Sequence, residues 1–145
     1  MTLDVGAGTG LIGMKVKEKQ GMEGVNIFGI DASSVFVRTL GDSNAYSGAQ
    51  LIWMGRGTDY FPQDLKNKFD IVTASGVFLK GHIPASAMDD IHAALKPNGY
   101  FVTAMRSYYY EHGAEEGYRE KLDELVDAGK LRLVKTETFM RGREG

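Results

Sequence analysis

The chain has 145 residues, with 17 Lys+Arg against 19 Asp+Glu for a net charge of −2, 19 glycines and no cysteine. That length suits one domain with a real core, and the missing cysteines exclude a disulfide scaffold, a thiolate metal site and a cysteine nucleophile. A pI near 5.9 lacks the basic face that a dedicated nucleic-acid binder needs, and no apolar run nears the roughly 20 residues of a membrane span.

Taken in order, Thr2–Val5 is a short apolar run stopped by Gly6, Gly8 and Gly10. Asp4 and the glycines break any signal-peptide pattern, which predicts an intracellular protein of the cytoplasm or an organelle. Helix formers follow over Leu11–Gln20 and end at Gly21. Val25–Ile30 is a β-rich run that closes on Asp31, and Ser33 or Ser34 can cap a helix carrying Val35, Phe36, Val37 and Leu40. Gln50–Met54 and Phe69–Ala74 are the third and fourth apolar runs. Pro84 suits the first turn of a helix in which Met88, Ile91 and Leu95 recur, with Asn98-Gly99 as its stop. Tyr100–Met105 is a fifth strand candidate, Glu115–Ala128 an amphipathic helix, and the alternating Leu131–Phe139 a sixth strand.

Strands alternating with helices predict a single α/β domain built on a doubly wound, mostly parallel sheet. Right-handed crossovers give the strand order 3-2-1-4-5, plus the sixth strand. Ligands of such sheets lie outside the carboxyl ends of the strands, at the switch point. Here that is the end of the first strand, where the glycines cluster.

Glycines at alternate positions bring bare backbone against a ligand. Asp31, ending the next strand, can accept hydrogen bonds from both hydroxyls of a ribose. A nucleoside-containing cofactor follows. Gly8-x-Gly10-x-x-Gly13 formally satisfies the dinucleotide fingerprint, with Asp31 at the expected distance. That register buries Asp4 and Gly6 inside the first strand, where the charge would need a partner. The other register starts the loop at Gly6-x-Gly8-x-Gly10 and sets Asp4 at the strand's mouth, facing the positive amino-acid end of a ligand.

Leu3-Asp4-Val5-Gly6-Ala7-Gly8-Thr9-Gly10 resembles the first motif of class I S-adenosylmethionine (SAM)-dependent methyltransferases. The resemblance continues through Gly29-Ile30-Asp31-Ala32-Ser33, Phe69-Asp70-Ile71-Val72 and Leu95-Lys96-Pro97-Asn98-Gly99-Tyr100. More narrowly, Gly81-His82-Ile83-Pro84-Ala85-Ser86-Ala87 resembles the methyltransferase-like proteins of the Williams–Beuren syndrome region type. The family resemblance implies SAM as cofactor. Asp4, Gly6, Ala7, Gly8 and Gly10 would hold its methionine moiety, Asp31 its ribose, and Ala32 would lie beside the adenine. Ser75 and Gly76 would border the methyl group. The acidic residue that the family often places after the third strand falls late here, at Asp59. Asp70, at the entrance of its strand, reads as structural.

Three histidines are candidates for a base, if the acceptor must lose a proton. His82 and His112 lie in loops at the carboxyl edge, whereas His92 sits within a helix. Tyr108, Tyr109 and Tyr110 offer flat apolar faces with polar tips to an acceptor, or pack on the last helix. No Asn-Pro-Pro-Tyr run follows the fourth strand, which disfavours amino methylation of nucleobases, and no metal-ligand spacing stands out.

The expected function is methyl transfer to a small-molecule or protein acceptor. A non-catalytic subunit that keeps the fold within a larger assembly is the alternative, and a dinucleotide-binding protein a third reading. The family pattern also implies helices before the first strand and a seventh strand beside the sixth, for which this sequence carries no residues. That gap predicts a second protein chain at the sixth-strand edge, or direct pairing of strands five and six.

Overall fold

A computed structural model describes residues 1–141. Five strands, β1 (Thr2–Val5), β2 (Ile27–Asp31), β3 (Gly48–Leu51), β4 (Phe69–Ser75) and β5 (Leu95–Ala104), form one sheet in the order β3-β2-β1-β4-β5. Every pairing is parallel. The helices are α1 (Leu11–Glu18), α2 (Ser34–Asp42), α3 (Ala87–Ala94), the single turn α4 (Ser107–Tyr110) and α5 (Tyr118–Asp127).

The central strand β1 is buried along its whole length, as a parallel strand covered on both faces must be. Its residues alternate between two cores. Leu3 and Val5 join Val72, Ala74, Met88, Ile91, Tyr118 and Leu125 in the larger cluster. The smaller cluster gathers Ile27, Leu40, Ala45 and Tyr46, with Val16 and Ala7 packed against it. Asp4 reaches this second side, through its bond to Tyr46.

Ser33 caps α2 by accepting the Phe36 amide at 3.4 Å. The helix expected from Pro84 to Lys96 is shorter, because residues 84–86 form a turn in which the Ala87 amide donates to the Pro84 carbonyl at 3.0 Å. Asn98-Gly99 does not stop that helix. Leu95 already pairs with Phe69, and the next pairs join Ile71 to Tyr100, so Lys96-Pro97-Asn98-Gly99 loops out of β5 as a bulge. Asn98 takes φ 64° there.

The expected sixth strand does not form. Residues 131–141 pair with no described strand and do not add to β5. Leu133, Val134 and Phe139 are 64%, 67% and 75% exposed. Alternation supplies the right faces, but a strand exists only where its amides and carbonyls meet a partner. Among the described residues no helix is long and apolar enough to cross a membrane.

Candidate cofactor site

β1 ends at Val5, and the chain turns over Gly6, Gly8 and Gly10 with φ of 63°, 55° and 90°. All three angles lie in the left-handed region that L side chains disfavour. The glycines also differ in what stands beside them. A Cβ on Gly6 would come within 2.5 Å of Val77 and 3.5 Å of Ile83, both on the loop after β4. On Gly8 it would meet nothing nearer than the Gly6 carbonyl at 4.0 Å. The space beside Gly8 is therefore open, whereas protein packs against Gly6.

Asp31 ties this loop to the end of β2. One carboxylate oxygen accepts the Gly8 amide at 2.9 Å, and the other accepts the Ser33 amide at 2.9 Å. The Ala7 amide donates to the Ile30 carbonyl at 3.1 Å. Ala32, the next residue after Asp31, is exposed at the same edge.

Asp4 lies within β1 and is 1% exposed. Its Oδ1 accepts from the Thr73 hydroxyl at 2.8 Å and its Oδ2 from the Tyr46 hydroxyl at 2.7 Å. The buried charge thus has the partners that its position requires, and the mouth of the strand is at Val5. Burial pushes the Asp4 carboxyl above its usual range, against the two hydroxyl bonds, and the nearby Asp31 charge adds to the rise. Burial also pushes the Tyr46 phenol well above its ordinary value, followed by the bond to Asp4.

Across the switch point, Ser75 and Gly76 are exposed at the carboxyl end of β4. The following loop borders a cavity of about 300 Å³ lined by Leu79, His82, Ile83, Glu116 and Tyr118 among others. The Tyr118 hydroxyl donates its one proton to the Ile83 carbonyl at 2.7 Å, with the Leu79 carbonyl 3.1 Å away sharing it, which holds the loop down. Ile83 lines this cavity and also packs near Gly6, so its side chain stands between the cavity and the glycine loop.

The other candidates are dispersed. His112 is bound to Asp123 of α5 at 2.6 Å. Tyr109 packs edge-on against Tyr118, with centroids 6.1 Å apart, and the Arg119 guanidinium stands 4.5 Å over Tyr110. Tyr108, 60% exposed, keeps an open face. Asp59 sits exposed in a turn. His92 lines a different cavity, of about 440 Å³, with Thr58, Lys66, Asp89, Ala93 and Lys130. Burial, then the Lys130 charge, lowers the His92 pKa. Asp70 lies at the amino end of β4, 3.6 Å from Lys96 and 2.6 Å from the Met1 amine. Among the described residues no cluster of three or more His, Cys, Asp or Glu could hold a metal.

Sequence reasoning missed Tyr46 and Thr73. Two glycines carried the trace of Tyr46. Gly13 and Gly29 need no positive φ, yet a Cβ at either would press on the Tyr46 ring, at 2.4 Å and 3.2 Å. Glycine inside a helix or strand marks such close approach.

A doubly wound parallel sheet with a bare glycine loop at its switch point and a carboxylate ending the neighbouring strand places the chain in the class of open α/β sheets whose ligands lie at the carboxyl ends of the strands. The chain belongs to the methyltransferase domain family, whose model matches residues 3–101. The motifs and this match together make it a class I SAM-dependent methyltransferase domain, without bearing out the narrower Williams–Beuren type. No curated protein matches it. Among solved structures, it resembles a chain of the complex between the Haloferax volcanii Trm112 methyltransferase activator and a methyltransferase. That match has TM-score 0.60 and 20% identity, covering 85% of this chain and 59% of that one. The CurJ carbon methyltransferase gives TM-score 0.59 at 18% identity, over 94% of this chain and 43% of that one. The trans-methyltransferase CalH, solved with S-adenosylhomocysteine (SAH), gives 0.53 at 19% identity, over 70% and 30%. The chain thus spans less than two thirds of each of these neighbours.

Proposed function

We propose that this domain binds SAM across the carboxyl edge of β1, β2 and β4 and transfers its methyl group to a small-molecule or protein acceptor. The observation that carries the reading is the open space over Gly8, beside a carboxylate already fixed by the Gly8 amide. A ligand with a ribose fits there, because Asp31 keeps lone pairs for two hydroxyls while the loop presents backbone without side chains. When bound, SAM supplies a methyl group already activated on a sulfonium.

The chain's own work is then positioning and water exclusion. Gly6, Ala7, Gly8 and Gly10 would bear against the methionine moiety. Asp31 would orient the ribose, and Ala32 would lie by the adenine. Ser75 and Gly76 would border the reacting methyl, with the acceptor in the space beside the loop after β4. The acceptor's nucleophile would take the methyl as its bond to the sulfonium breaks and SAH leaves, and the acceptor's proton, where one must leave, would pass to water or to His82 on that loop. A protein partner belongs to this reading, since one structural neighbour was solved with a methyltransferase activator.

Isothermal calorimetry with SAH tests it, with NADH alongside. Binding of SAH alone supports the reading. Binding of NADH alone replaces it with the dinucleotide reading, and no heat with either removes the cofactor. SAH binding without turnover on any acceptor favours the non-catalytic subunit.

A further inference from the structure

We infer that Asp4 serves the cofactor loop through Tyr46, the two acting as a remote cap on α1, and does not itself touch the ligand. This rests on the methyltransferase reading above. An α-helix leaves its first amides without partners, and a side chain at the N-cap ordinarily takes one of them. Here the N-cap is Gly10, which has no side chain, and α1 carries no acid in its first turn. The third amide of the helix, that of Gly13, instead donates to the Tyr46 phenol oxygen at 3.0 Å. The same phenol gives its proton to Asp4 Oδ2.

Tyr46 also forbids the local alternative. A Cβ on Gly10 would stand 2.9 Å from the Tyr46 ring and 3.1 Å from Leu40. A Ser or Asp cap cannot be built there without displacing that ring. The phenol reaches the helix from behind, so the end is capped while the loop keeps a bare surface for a ligand. Asp4 completes the chain. Its carboxylate draws the phenol proton, which makes the phenol oxygen a better acceptor for Gly13. With Thr73 on its other oxygen and 1% exposure, the carboxylate is already turned into protein.

The test is a cycle of Tyr46→Phe, Asp4→Asn and the double variant, with SAH affinity by calorimetry and melting temperature in parallel. Each single variant should weaken SAH about tenfold. The double variant should be no weaker than the worse single, because both remove one hydrogen-bond chain. A pH series adds a readout that loss of packing alone would not move. The groups facing Asp4 are Tyr46, Thr73 and the Asp31 charge. With the phenol gone Asp4 has no route to the loop. The part of the acid limb of SAH binding that Asp4→Asn removes should therefore be missing from Tyr46→Phe as well, and its persistence there would overturn the inference. Hydrogen exchange should also quicken at the Gly13 amide in Tyr46→Phe, even if that variant is less stable overall. Losses that multiply in the double variant, or an unchanged Tyr46→Phe, overturn the inference. A wild-type chain that binds no SAH overturns the methyltransferase reading instead, with the Gly13 exchange still reporting on the cap.

Discussion

Asp31 holds the Gly8 amide at 2.9 Å, so the residue that ends β2 also fixes the most open point of the glycine loop. Removing this carboxylate should act on ligand affinity more than on the fold, because its partners are loop amides at a half-exposed edge. Asp31→Ala should weaken SAH by roughly ten- to a hundredfold, the range for losing hydrogen bonds to a charged group, about 1.5–3 kcal/mol. Asp31→Asn should lose less, since an amide oxygen still accepts one bond. Calorimetry of both variants checks the ranking, and equal affinity for Asp31→Ala and wild type would remove Asp31 from the site.

Gly6 and Gly8 separate stability from binding. Both have positive φ, so alanine at either carries a backbone strain of about 1–2 kcal/mol. At Gly6 the new methyl also collides with Val77, which belongs to the larger core. Gly6→Ala should therefore lower the melting temperature more than Gly8→Ala does. Gly8→Ala places its methyl in the open space and should abolish SAH binding in a chain that still folds. The opposite order of melting temperatures would contradict this division.

Legibility in the sequence followed the range of the interaction. β1 matched its apolar run at both ends, because a buried central strand needs only local hydrophobicity and glycine stops. The strand order came from short crossovers. Tyr46 could not be read forward, since its segment carries no motif and its partners lie 42 and 33 residues away, at Asp4 and Gly13. Leu131–Phe139 failed for the complementary reason. Its alternation is local, but the ladder that would make it a strand is not. The three adjacent tyrosines likewise share no face, since Tyr109 and Tyr110 turn to partners on α5 that the run does not reveal.

Asp90 predicts a pH effect with a definite sign. It is 2% exposed, its Oδ2 accepts the Gly55 amide at 2.7 Å, and its Oδ1 has no partner among the described residues. Burial raises its pKa, against the Gly55 bond, with a further rise from Asp89. The folded state therefore holds this proton more tightly than the unfolded chain. Its contribution to stability falls as pH rises from the unfolded value through the folded one. Asp90→Asn removes that penalty, so its melting temperature relative to wild type should be higher at pH 7 than at pH 4. Thermal melts across that interval check the sign. A relative stability that instead grows toward acid pH would contradict it.

The single tryptophan gives a direct reporter. Trp53 is 60% exposed and stands two residues past Leu51, the β3 residue paired with Asp31. The Ile52 amide between them donates to the Asp31 carbonyl at 3.0 Å, which fixes this backbone at the carboxyl edge. The Arg56 guanidinium lies 5.6 Å from the Trp53 ring centroid and holds a cation–π contact. A nucleoside whose ribose meets Asp31 would bring its base toward this edge and change the solvation of the indole. Titration with SAH should therefore change the Trp53 emission, saturating at the concentration that calorimetry gives. Adenosine should reproduce most of the change, and methionine alone should not. Asp31→Ala should shift the titration to higher SAH without altering its amplitude, since it weakens occupancy and leaves the indole in place. An emission that stays constant while calorimetry records SAH binding would place the base away from β3.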